Sequence, residues 1–310
     1  MSLSEAYSQL DMKRLKSANR PKIGLVLGGG GAKGAAQVGI LKAFEEAGLE
    51  FDYIAGTSIG SIIGALYSCG YRASDLENLF LSQPWLELFT GYGISEETSK
   101  NGKSRKKLSR RKAKLDDDND DNLQGFGLSK GDLIVELFDS LLEDNDNIDF
   151  DKLPIPFRCV ATDIKNQEPV VLKSGNLALA IRASMSIPAI FKPVKLDGRM
   201  LVDGGMQNNL PVDVARDMGA EYIIAIDLSQ TKHTPRDFSL KETLGIGGML
   251  DWLVSRPDWT RHDKNVKDSD FYINPKLDGY EALDFQREKI EKMIAIGYKT
   301  GKEILKKAKK

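Results

Sequence analysis

Tyr53-Ile54-Ala55-Gly56-Thr57-Ser58-Ile59-Gly60-Ser61-Ile62-Ile63-Gly64-Ala65-Leu66 decides how this 310-residue chain is read. Its first three residues suit the end of a short buried strand, and the stretch from Ser61 suits a narrow helix of small and apolar residues. Between them, a glycine two positions either side of Ser58 lets the chain turn tightly and hold the hydroxyl out above a helix N-terminus. A serine in an ordinary glycine turn gives the same pentapeptide, so support has to come from elsewhere in the chain.

A glycine loop lies upstream. Lys22-Ile23-Gly24-Leu25-Val26-Leu27 reads as a buried strand, and Val38, Ile40, Leu41 and Phe44 have helical spacing. Gly28-Gly29-Gly30-Gly31-Ala32-Lys33-Gly34 joins them, exposing consecutive backbone N–H groups that suit negative charge. A dinucleotide site would use Gly29, Gly31 and Gly34, but it wants an acid ending the second strand, and Asp52 precedes that strand. A phosphate loop needs Gly-Lys-Ser/Thr, and the order here is Lys33-Gly34-Ala35. The remaining reading is an oxyanion hole facing a carbonyl attacked by Ser58, where one donor is worth about 3–4 kcal/mol of barrier. It alone accounts for the loop and the serine turn in one βαβ unit.

Histidine is scarce. His233 and His262 both sit in polar, poorly patterned stretches and read as solvated surface residues. A Ser-His-Asp triad, as in an α/β-hydrolase esterase, needs an imidazole within reach of the hydroxyl. A different base is offered by Arg199-Met200-Leu201-Val202-Asp203-Gly204-Gly205, an acid between a short apolar strand and a glycine pair. Alone, Asp203-Gly204 would be an Asp-Gly turn.

Together these residues resemble the patatin-like phospholipases, lipid acyl hydrolases, bacterial members being nearest. The likeness rests on Gly29-Gly30-Gly31-Ala32-Lys33-Gly34, Gly56-Thr57-Ser58-Ile59-Gly60 and Asp203-Gly204-Gly205, in that order. It extends through Ala161-Thr162-Asp163, Arg182-Ala183-Ser184-Met185-Ser186-Ile187-Pro188, Asn208-Asn209-Leu210-Pro211-Val212 and Ala282-Leu283-Asp284-Phe285. The resemblance implies Ser58 as nucleophile and Asp203 as general base, with no histidine. It implies an oxyanion hole from the N–H groups of Gly29, Gly30 and Gly31, helped by that of Ile59. Lys33 matches the family's basic position and braces the loop, with Gly34, Gly56, Gly60, Gly204 and Gly205 as motif support. Asp163 is read as structural. No metal and no organic cofactor is implied, and the substrate would be a phospholipid or lysophospholipid. A nucleotide- or lipid-binding module is the non-enzyme alternative.

The length suits one domain, here residues 21–310 after a loose arm at 1–20, and strands alternating with helices predict a three-layer α/β/α architecture with a mostly parallel sheet. Strands are expected at 158–161, 169–172 and 220–227, and helices at 133–142, 177–184 and 284–306. A formal net charge of -1 argues against nucleic acid. Cys69 and Cys159 lack metal or disulfide spacing and read as small buried hydrophobes. No run approaches the length of a membrane span, and residues 1–20 lack a signal-peptide core, which predicts a cytoplasmic or peripheral membrane location. Oligomeric state is not legible.

The basic run Lys100 to Lys114 and the acidic Asp116-Asp117-Asp118-Asn119-Asp120-Asp121 predict a disordered charged insertion over about 96–124. An EF-hand register from Asp116 fails, with Asp121 and Gly127 where Gly and Glu are needed. Its basic half could meet anionic lipid. The apolar cluster Leu244 to Val254, with Trp252 and Trp259, reads either as a packed helix or as an interfacial lid.

Overall fold

The structure, a computed structural model, describes residues 10–90, 92–98, 104–110, 127–142, 146–229 and 259–308. Its main sheet has eight strands: β1 (Ile23–Leu27), β2 (Tyr53–Thr57), β3 (Phe157–Asp163), β4 (Glu168–Leu172), β5 (Val194–Leu196), β6 (Arg199–Asp203), β7 (Tyr222–Ile226) and β8 (Phe271–Ile273). The order is β5-β6-β3-β2-β1-β7-β8, with β4 paired to β3. The run β3-β2-β1-β7-β8 is parallel, and β4, β5 and β6 are antiparallel additions.

Alternation along the strands splits the core into two. Leu25, Leu27, Ile54, Ile224 and Ile226 face the larger half, where helices α2 (Ala35–Glu46), α3 (Ile59–Ser68), α4 (Ala73–Ser82), α5 (Trp85–Thr90), α6 (Asp132–Leu141), α7 (Leu177–Ser184) and α10 (Arg287–Ala308) pack. Val26, Ala55, Val160, Ile223 and Ala225 face the smaller half with α8 (Val212–Asp217), onto which α9 (Trp259–Asp268) folds. Helices α2 and α10 cross so closely that a Cβ on Gly39 would lie 2.0 Å from the Ile294 carbonyl oxygen, and one on Gly297 1.9 Å from that of Ala36.

Several boundaries differ from the sequence reading. A further strand, β8, lies outside β7, and the last helix begins at Arg287 and not at 284. In the expected loose arm, α1 (Met12–Leu15) buries Met12 and Leu15, with Leu10 beside them, and Arg20 pairs with Asp52. Tyr92–Thr98 and Ser104–Arg110 pair as antiparallel strands where irregular chain is expected from residue 96. The acidic run at 116–121, His233 and residues 244–258 lie outside the described residues. Cys159 is buried and Cys69 is half-buried.

Candidate active site

Strand β3 brings the two key segments together. Its first half pairs with β2 and its second half with β6: Val160 is the partner of Thr57, and Ala161 the partner of Asp203. Residues far apart in sequence therefore end beside one another at the sheet's rim. Ser58 Oγ donates to Asp203 Oδ2 at 2.7 Å, and both residues are buried.

Ser58 sits between β2 and the wholly buried α3, with φ 55° and ψ −123°. Such a backbone is sparsely populated outside glycine and persists only where its surroundings over-determine it. Glycine at 56 and 60 makes the turn possible: a Cβ at Gly56 would lie 2.3 Å from the Gly60 carbonyl oxygen, and one at Gly60 2.2 Å from that of Leu27. Ser184, at the end of α7, clamps the turn. Its hydroxyl accepts the Ser58 N–H at 3.0 Å and donates to the Val160 carbonyl at 2.6 Å. Thr57 Oγ1 donates to the Asn208 carbonyl at 2.8 Å.

Asp203 is held equally firmly. Its N–H donates to the Ser186 carbonyl at 2.9 Å, and its Oδ1 accepts the Gly205 amide at 2.7 Å. A Cβ on Gly204 would lie 2.1 Å from the Val160 carbonyl oxygen, so the chain after Asp203 hugs β3. Burial pushes the Asp203 carboxyl up to about 6, although the hydrogen bonds from Ser58 and Gly205 pull it down.

The glycine loop faces this pair. The Gly28 amide donates to the Ile226 carbonyl, and the Gly29 amide to that of Asn209 at 3.3 Å. Gly29 is therefore occupied, which removes it from the expected set of free donors. Among the described residues the amides of Gly30, Gly31 and Ile59 donate to no protein acceptor. Gly30 and Gly31 line a cavity with Ser58, Asp203, Gly205 and Asn209. Gly31 has φ +60°, and a Cβ there would lie 2.3 Å from the Ala282 carbonyl oxygen. Lys33 is buried within the turn Gly31–Gly34 and lines neither cavity at Ser58. Gly34 lies against Ile59, 2.5 Å from a built Cβ.

Three contributors were not singled out in the sequence. Asn209 clamps the loop from both sides, its carbonyl on the Gly29 amide and its Nδ2 on the Gly29 carbonyl at 3.3 Å. Gln37 Nε2 donates to the Gly28 carbonyl at 2.9 Å. Ser184 is the third; its only sequence signal is its place in the Arg182–Pro188 run. Asp163 caps its own turn, accepting from the Lys165 amide and Asn166 Nδ2.

His262 corrects the sequence reading: it is buried at 6 % exposure, with Nε2 2.9 Å from Asp227 Oδ2. That carboxylate also accepts from the Tyr272 hydroxyl at 2.7 Å and the Ser229 amide at 3.0 Å. Neither His262 nor Asp227 lines the cavities at Ser58. Among the described residues no three metal-ligating side chains are gathered.

A family model described as "Patatin-like phospholipase" matches residues 25–216, which hold the loop, the serine turn and Asp203. The chain belongs to the patatin-like phospholipase family. It is 33% identical over 307 residues to patatin-like phospholipase domain-containing protein 7 of Mus musculus, covering 91% of this chain and 20% of that protein. It is 31% identical over 323 residues to protein 6 of that name in Homo sapiens, covering 91% and 20%. Against lysophospholipase nte1 of Aspergillus fumigatus it is 32% identical over 310 residues, covering 93% and 18%. This patatin-like chain thus spans about a fifth of these relatives' length. Among solved structures, VipD of Legionella pneumophila aligns with a TM-score of 0.44 at 13% identity, over 93% of this chain and 67% of that one.

Proposed function

We propose that residues 21–310 form one patatin-like domain that hydrolyses carboxylic esters of lipids, phospholipid or lysophospholipid, by a Ser58–Asp203 dyad. The observation that carries this reading is the 2.7 Å hydrogen bond from Ser58 Oγ to a carboxylate whose basicity burial has raised. A solvated Asp, with a pKa of about 3.9, is a weak acceptor for an alcohol proton. At about 6, Asp203 remains mostly ionised at neutral pH while holding a proton more tightly.

In the proposed cycle Ser58 Oγ attacks the ester carbonyl carbon and passes its proton to Asp203 Oδ2. The amides of Gly30, Gly31 and Ile59 receive the charge on the carbonyl oxygen. The C–O bond to the alcohol breaks, Asp203 protonates the leaving oxygen, and an acyl-Ser58 remains. Water then gives a proton to Asp203 and attacks the acyl carbon; the bond from that carbon to Ser58 Oγ breaks, Asp203 returns the proton to Oγ, and the fatty acid leaves.

Further support comes from the relatives, which carry phospholipase or lysophospholipase names over the same region. Peripheral contact with a lipid surface belongs to the proposal, because such esters reside in membranes and the chain has a basic run at Lys100 to Lys114. Among the described residues no helix is long and apolar enough to cross a membrane. A fluorophosphonate probe should label the wild-type chain and not Ser58→Ala, and release of fatty acid from lysophosphatidylcholine should vanish with it. Labelling that persists in Ser58→Ala, or an enzyme that loses turnover only without histidine, would overturn the dyad.

A further inference from the structure

The space at Ser58 divides in two. Gly31, Ser58 and Ile187 are common to both branches. One branch holds the polar groups, with Asp203 and Asn209 on its wall beside Gly30, Gly205 and Met206. The other is walled by apolar side chains, among them Ile62, Met185, Ile190, Phe89, Phe191 and Phe285.

The aromatic side of that second branch is layered. Phe89 stands edge-on to Phe285 with ring centroids 4.9 Å apart, and to Phe191 at 5.9 Å. Trp85 does not line the branch but backs these rings, 5.8 Å from Phe89 and 6.1 Å from Phe285. Its indole N–H is fixed to the Phe80 carbonyl at 3.0 Å. Phe285 is fixed through its own loop. The Ala282 carbonyl accepts the Ala32 amide at 2.8 Å, Asp284 accepts the Glu281 amide at 2.9 Å, and Asp284 pairs with Lys289. Rings braced in this way cannot swing aside for a longer guest without disturbing a packed layer.

We propose that the apolar branch holds a single acyl chain, and that Phe89 and Phe285 form a floor that sets its maximum length. This rests on the hydrolase reading above. With the scissile carbonyl at Ser58, the chain runs towards Phe89, and the alcohol leaves through the polar branch beside Asp203, the group that must protonate it. Each methylene accommodated above the floor raises kcat/KM about fourfold, the worth of one buried CH2. The first methylene beyond it reverses the trend, because overpacking is itself destabilising.

The test is a series of para-nitrophenyl esters from butanoate to stearate, beside calorimetric binding of the matching fatty acids to Ser58→Ala. Wild type should show one maximum in kcat/KM, and Ser58→Ala a ceiling in affinity at the same length. Phe285→Ala and Phe89→Leu should both move maximum and ceiling to longer chains, with Phe285→Leu as the milder variant should Phe285→Ala fail to fold. A maximum and ceiling that stay in place in folded variants would overturn the floor while leaving the hydrolase standing. A ceiling that shifts in a chain without ester turnover would uphold the pocket and overturn the hydrolase. Absence of both turnover and fatty-acid binding would overturn the two together.

Discussion

Asp203 and Asp227 stand at the rim of the same sheet, at the ends of β6 and β7, and are buried at 7 % and 0 % exposure. Burial is the largest influence on each, and it pushes both carboxyls up. The outcomes nevertheless diverge. At Asp227 the His262 hydrogen bond and charge, with the Ser229 amide and Tyr272 hydroxyl, outweigh burial and hold the group below the ordinary carboxylate range. Asp203 has a hydroxyl and one amide, which do not outweigh it, and stays at about 6. A fully partnered buried carboxylate is a staple, fixing α9 and β8 to β7. A buried carboxylate left short of partners keeps its appetite for a proton, and that is what general-base chemistry needs.

The sharpest break in this comparison is mutational. Ser58→Ala and Asp203→Asn should each lower ester turnover by at least about 10⁴-fold. His262→Ala should instead leave the folded protein active and lower its unfolding free energy by about 3 kcal/mol, because Asp227 stays buried without its main partner. Urea titration followed by tryptophan fluorescence measures the second effect; a collapse of turnover in folded His262→Ala would erase the distinction drawn here.

Next in size is Ser184→Ala, which removes the acceptor for the Ser58 amide without touching either reacting group. It should lower kcat about 10–100-fold with KM little changed, since misplacement of the proposed nucleophile is felt mainly in the chemical step. Ser184→Thr keeps a hydroxyl at the position and should recover part of the rate.

The pH dependence is smaller but has a definite sign. In the proposed cycle turnover requires ionised Asp203, so kcat/KM should fall about tenfold per pH unit below about 6, and His262→Ala should leave that inflection in place. Smallest is a stability effect. Between the unfolded carboxyl's pKa of about 3.9 and the folded value of about 6, the native state binds the proton more tightly, so stability falls as pH rises through that window. Asp203→Asn should therefore melt a few degrees above wild type at alkaline pH, with the gap closing in acid; calorimetry at both ends checks it.

Much of this was readable in the residues. The βαβ unit with its glycine loop was legible from small side chains at strand ends, whereas the serine turn and the acid ending β6 each read alone as an ordinary turn and gained meaning from the ordered set of motifs. Apolar runs placed strands at 158–161 and 220–227, which are Phe157–Asp163 and Tyr222–Ile226, and a helix at 177–184, which is Leu177–Ser184. What escaped has a common cause: it depends on partners distant along the chain. β8 is Phe271–Ile273, too short for a pattern, and is defined by its neighbour β7. His262 lies among charged residues and looks solvated until α9 folds it onto Asp227. The occupied amide of Gly29 is invisible until the fold brings in Asn209, 180 residues along the chain.

The exchange of partners along β3, from β2 at Val160 to β6 at Ala161, has a consequence for how activity is acquired. A strand advances about 3.3 Å per residue and alternates its faces, so a single-residue slip of β6 would turn the carboxylate away from the hydroxyl altogether. Competence is thus a property of the finished topology. A nascent or refolding chain should regain helical dichroism before it can cleave any ester, and any fragment ending short of residue 203 should be chemically silent.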